Sequence, residues 1–145
     1  MKLLIAAELL ARVHAHGASA YPDEGAGFLI GRLEGSTRRV LDVLPVDNER
    51  EGDERRRRYL IGPHEMLRAE NEAARRGLDL LGVFHSHPDH PSQPSETDRQ
   101  WALPWLSYLI TRVENGAAQD TRSWRLNDDR SAFEEETLEE AEAKE

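Results

Sequence analysis

A chain of 145 residues with a formal charge of -9 falls in the size range of one domain. It is 38% hydrophobic and 32% charged, yet its apolar residues gather in dense runs (Phe28-Leu29-Ile30, Leu78 to Phe84, Leu106 to Ile110) that a disordered chain lacks. No run approaches the ~18 apolar residues of a membrane span, and with no cysteine there is no disulfide framework, thiol nucleophile or thiolate metal site.

The apolar opening Met1 to Ala7 is interrupted by Glu8, Arg12 and His14 before a secretory leader of ordinary length can form. A soluble, cytoplasmic chain is expected. The charge is uneven: residues 127–145 hold nine acids against Arg130 and Lys144, a balance of -7, which leaves -2 for residues 1–126. That near-neutral body advertises no nucleic-acid track. The expected organisation is a domain over 1–126 and an acidic tail over 127–145, the tail read as a solvated or frayed helix because like charges repel. Of the nineteen basic residues seventeen are arginine, a bias from which no function follows.

In chain order, Ala7 to Ala18 has the spacing of an amphipathic helix with Leu9, Leu10, Val13 and Ala18 on its apolar side. Tyr21-Pro22-Asp23 breaks it. Gly27 to Leu33 reads as a buried strand, turned by Gly35-Ser36 into a second strand over Arg38 to Val46. Asn48 to Arg58 reads as a polar loop, and Tyr59-Leu60-Ile61 as a short strand. A helix over His64 to Arg76 starts at Pro63 and stops at Gly77. Leu78 to Phe84 is a buried strand, followed by a proline-rich loop, a helix near Ser95 to Ala102, and strands over Leu106 to Val113 and Arg122 to Leu126. The fold class is mixed α/β (α+β), with a mixed, mostly antiparallel sheet flanked by helices.

The chemistry concentrates in His85 to Asp98. His85 and His87, two apart at a strand end, project from one face, so their imidazoles can share a metal ion. Asp98, on the first turn of the next helix, can supply an oxygen ligand. Two histidines and a carboxylate leave a tetrahedral position open, as in catalytic zinc sites, although iron, cobalt and manganese accept the same donors. Ser95-Glu96-Thr97-Asp98 equally reads as a helix-capping box, and both roles can coexist.

His85-Ser86-His87-Pro88, six residues, then Ser95 and Asp98 resembles the metalloprotease motif of the JAMM (MPN+) family residue for residue. Tyr21 to Gly31 resembles the family's upstream segment with Glu24 as its glutamate, and Asn48, Tyr59 to Pro63 and Tyr108-Leu109-Ile110 extend the likeness over about residues 5–126. The resemblance implies a single cytidine-deaminase-like JAMM domain. It implies one Zn2+ per chain held by His85, His87 and Asp98, with Glu24 as the acid–base and Ser95 as an oxyanion donor. It further implies a zinc-dependent isopeptidase or peptidase that cleaves the amide after the C-terminal glycine of a ubiquitin-like or sulfur-carrier protein.

Ala26 replaces a cysteine common in bacterial members, and the chain is too compact for the insertions that grip polyubiquitin. A Gly-Gly tail is expected to add beside a sheet edge. Alternatives are a metallopeptidase for short peptides or aminoacylated small molecules, and a non-catalytic scaffold, which usually lacks ligands that are present here. A homodimer stays open; no membrane or nucleic-acid partner is expected. Among the other residues, His90 is a loop residue that could line the cleft; His14, His16 and His64 are read as surface or capping residues, and Trp101 and Trp105 as packing residues. Ser86 points away from the ligands with a supporting hydrogen bond at most, and Arg55 to Arg58 read as a solvated loop able to meet an acidic carrier.

Overall fold

The computed structural model describes residues 1–46 and 63–141. Asn48, the arginine run and the expected strand over Tyr59-Leu60-Ile61 lie outside these residues.

Alternating burial begins at once: Leu3 and Ile5 point inward from strand β1 (Lys2–Ala6). The opening weighed only as a leader is therefore a strand. Helix α1 (Ala7–Ala20) buries Leu9, Val13 and Gly17, one residue per turn. Strands β2 (Ala26–Glu34) and β3 (Thr37–Val46) form the expected hairpin, with Gly35 in the left-handed region at its turn. Helix α2 (Pro63–Arg75) ends where Gly77 takes a positive φ. There Gly77 N–H donates to Ala74 O at 3.0 Å and Leu78 N–H to Ala73 O at 2.8 Å, a Schellman pattern.

Strand β4 (Asp79–Pro88) runs past the expected end and carries both histidines. Helix α3 (Glu96–Trp101) crosses to β5 (Ser107–Glu114), which is parallel to β4 as a helical crossover allows. Strand β6 (Ala117–Leu126) returns through Asn115-Gly116, both at positive φ, the pair that a tight hairpin favours. That pair marks a longer β6 than was expected.

The strands run in the order β1-β3-β2-β4-β5-β6-β7 and close into a barrel through β7 (Phe133–Ala141), which is parallel to β1 and antiparallel to β6. The mixed sheet holds antiparallel β2–β3, β2–β4, β5–β6 and β6–β7 beside parallel β1–β3, β4–β5 and β1–β7. The helix expected in the acidic segment is thus corrected to a strand. Two of its acids are paired across the sheet: Glu135 with Arg122 at 3.3 Å and Glu139 with Lys2 at 2.8 Å. Glu136 is buried and accepts from Ser123 Oγ at 2.7 Å. Tertiary pairing overrides the helical preference of a glutamate-rich run.

The sheet has two packed faces. Leu9 and Val13 of α1 join Leu3, Ile5, Leu29 and Phe84 on one. On the other, Ala69 of α2 and Ala102, just past α3, join Phe28, Val83 and Tyr108. Strand alternation puts Phe84 and Ser86 on the α1 side and Val83, His85 and His87 on the side of α2 and α3.

Candidate metal centre

The backbone around the site is stitched before any side chain is considered. Gly25 N–H donates to Ser86 Oγ at 2.8 Å, and Ser86 N–H donates to Gly25 O at 2.9 Å. The segment bearing Glu24 is thereby fixed against β4 between its two histidines. Glu24 is buried, at 6% exposure. Behind Ser86, α1 passes so close that a Cβ on Gly17 would lie 3.1 Å from Ser86 Cβ. Ser86 therefore supplies the supporting hydrogen bond expected of it, on the face opposite the histidines.

Asp98 is placed by a capping box at the start of α3. Its N–H donates to Ser95 Oγ at 3.0 Å, and its Oδ2 accepts from Ser95 N–H at 2.8 Å. The capping reading thus holds and also aims the carboxylate at β4. Asp98 Oδ2 lies 3.1 Å from His87 Nε2, and Oδ1 lies 3.7 Å from His85 Nε2. The two imidazole centroids are 5.0 Å apart, and the three residues each offer one ligand atom within 4.8 Å of the others. All three are buried.

The donor set suits a cation. His87 Nδ1 lies 2.8 Å from Pro91 O, and because a carbonyl only accepts, Nδ1 carries the hydrogen. In the neutral ring Nε2 is then a lone pair facing a carboxylate oxygen that already accepts from Ser95. Two acceptors at 3.1 Å need a positive charge between them. Burial pushes His85 down to about 4, so at neutral pH its ring is in the ligand form. Burial alone would raise Asp98, but the His85 charge, the His87 contact and the Ser95 N–H outweigh it and hold the carboxyl well below the ordinary range. Two nitrogen donors and a hard oxygen fit zinc among the common divalent ions.

The site lies at the carboxyl ends of parallel β4 and β5, with α3 in the connection between the two strands. Ser95 is exposed at the start of that helix. The bond from Asp98 uses a lone pair of Ser95 Oγ and leaves its hydroxyl hydrogen to donate elsewhere. His90 is exposed on the loop and is not in the three-residue group. His14 and His16 are not surface residues: both are half-buried, His14 Nε2 lies 2.8 Å from Thr121 Oγ1, and His16 stands edge-on to Phe84. His64 is exposed at the start of α2. Trp105 is 63% exposed and does not pack as expected, since the chain turns there before entering β5. The side chain of Trp101 lies outside the described residues.

Among the described residues no helix is long and apolar enough to cross a membrane. Comparison with known proteins identifies the family. One relative is the probable TtuB-protein conjugate cleaving protease of Thermus thermophilus, 34% identical over 103 residues, 69% of this chain and 65% of that protein's own length. Another is the CysO-cysteine peptidase of Mycobacterium tuberculosis, 28% identical over 127 residues, 87% of this chain and 84% of that protein. A Desulfitobacterium hafniense protein solved in solution superposes with a TM-score of 0.84 at 32% identity, covering 99% of this chain and 94% of that one. The model of the prokaryotic homologues of the JAB domain matches residues 6–127, from the last residue of β1 to the residue after β6. The chain therefore belongs to that family, the membership that His85-Ser86-His87-Pro88 and its downstream Ser95 and Asp98 led one to expect.

Proposed function

We propose that this chain is a zinc-dependent isopeptidase or peptidase that hydrolyses the amide after the C-terminal glycine of a ubiquitin-like or sulfur-carrier protein. The observation that carries the reading is the buried convergence of His85, His87 and Asp98 beside a segment that brings in a buried Glu24. A zinc ion held by those three supplies a Lewis acid that makes water acidic near neutral pH.

The chain's own residues do the rest. Glu24 accepts a proton as water attacks the scissile carbonyl; the C–N bond then breaks, and Glu24 returns that proton to the departing amine. Ser95 donates its hydroxyl hydrogen to the oxygen that becomes negative during attack. Capping α3 keeps Ser95 and Asp98 in fixed relation, so the proposed oxyanion donor and the proposed metal ligand move together. The substrate class takes its support from the relatives, one named for a protein conjugate and one for a carrier joined to a single amino acid.

Mass spectrometry on a Gly-Gly-ended carrier joined through its C-terminus to lysine or to one amino acid tests the reading. Release of the intact carrier, lost with a chelator and in Glu24→Ala, is expected. Zinc-loaded protein that leaves both conjugates whole refutes the substrate class.

A further inference from the structure

The loop after His87 is fastened at two points that bracket the carbonyl accepting from that histidine. Before Pro91, Asp89 N–H donates to Val113 O at 2.7 Å, and the Asp89 carboxylate accepts from Tyr21 Oη at 2.6 Å and from Asn115 N–H at 3.2 Å. Asp89 holds a positive φ of 57°, which this side chain tolerates better than most. After Pro91, Ser92 is almost fully buried, and both of its polar groups reach β6. Its carbonyl accepts from Trp124 Nε1–H at 3.0 Å, and its hydroxyl donates to Asp120 Oδ2. Asp120 Oδ1 in turn accepts from Arg112 Nε at 2.6 Å. Ser92 and Arg112 hold the Asp120 carboxyl below its usual range, so it is an anion at neutral pH.

We propose that Trp124 and Asp120 are positioning residues for His87: by gripping Ser92 they fix the Pro91 carbonyl, which fixes the ring's Nδ1–H tautomer and presents Nε2 to the metal. The peptide unit between Pro91 and Ser92 is rigid, so the position of Ser92 is transmitted to the Pro91 oxygen with little slack. Hydrogen-bond partners one step beyond a metal's ligands characteristically govern ring orientation and basicity. Neither residue is near His87 in sequence. The indole and the carboxylate both come from β6, a strand that supplies no ligand.

The inference rests on His87 being a ligand, so the experiment separates the two. Zinc affinity is measured by competition with a chromogenic chelator, and the His87 tautomer by 15N NMR of the metal-free protein. Trp124→Phe keeps the ring and loses the donor; Asp120→Ala loses the acceptor; Asp120→Asn keeps an amide oxygen for Ser92. Trp124→Phe and Asp120→Ala are expected to weaken zinc binding by about 10-fold or more, with the His87 nitrogen shifts moving toward a tautomer mixture. Asp120→Asn is expected to stay near wild type, and melting of the metal-free proteins monitors folding. Wild-type affinity and tautomer in Trp124→Phe and Asp120→Ala, or equal losses in Asp120→Asn and Asp120→Ala, overturn the inference. Undiminished zinc affinity in His87→Ala overturns instead the ligand reading beneath it.

Discussion

The parallel pair β4–β5 carries a buried polar cluster at each end, and the two are built on opposite plans. At the entry end the cation comes from the chain: Arg38 Nη1 donates to Leu81 O at 2.7 Å and to Ser107 Oγ at 3.1 Å, while Nη2 donates to Trp105 O at 2.9 Å. Burial and the nearby Arg125 lower the Arg38 pKa, Glu136 opposes them, and the guanidinium remains charged. At the exit end two imidazoles and a carboxylate converge, a set rich in lone pairs. A buried cluster completed from within is architecture; one that converges acceptors around a shared point asks for an ion from outside. Burial alone does not separate these cases, but the inventory of donors and acceptors does.

The sharpest way to break this contrast is to delete a ligand. His87→Ala and Asp98→Ala should lose zinc and turnover together, read by metal analysis and the conjugate assay; full zinc content in either would erase the distinction. Glu24→Ala should keep its zinc and lose about 10²–10⁴-fold in turnover, the range for a positioned acid–base group. Ser95→Ala should lose about 10²–10³-fold in kcat through the oxyanion donor. It should also lower stability by about 1 kcal/mol through the cap, measured by denaturant unfolding.

At the entry end the expectation reverses. Arg38→Met should cost about 2 kcal/mol because buried carbonyls lose their donor, while the folded protein still takes up one zinc. A smaller effect comes from Tyr108, whose hydroxyl accepts from Leu103 N–H at 2.8 Å. Burial raises its pKa from 10.0 to about 12, although the Leu103 hydrogen bond opposes the rise. The folded state therefore favours the neutral phenol; that contribution is complete below pH 10 and is lost as pH climbs through 12. Thermal melts should show this alkaline decline shrink in Tyr108→Phe.

The two ends also differ in how much of them could be read in advance. All three proposed metal ligands lie within His85 to Asp98, so strand alternation and a helix cap suffice to bring them together. Arg38 meets groups from Leu81 to Ser107, contacts that only the assembled sheet creates. The grip of Trp124 and Asp120 on Ser92 is distant in the same way. The strand near the C-terminus was hidden for another reason: nine acids in residues 127–145 dominate any reading by charge. The period-two signal there is faint, because the inward or half-buried positions Phe133, Glu136, Leu138 and Ala141 are spaced by three, two and three residues rather than by a steady two. The cations that pair with acids of the run, Lys2, Arg122 and Arg125, belong to other strands.

Closure of the barrel has a consequence for synthesis. Strand β1 is synthesised well before β7, and one of its flanks finds its partner only in Thr137 to Ala141. Until those residues emerge, Leu3 and Ile5 belong to a strand with an unpaired edge, while the segment destined to cover it is still in the exit tunnel. The loop after β4, by contrast, has β2, β4 and β5 around it well before the ring is complete. Contacts of such long sequence separation form late and slowly. A nascent chain of this protein is therefore exposed to strand-edge association at β1 until β7 has been made.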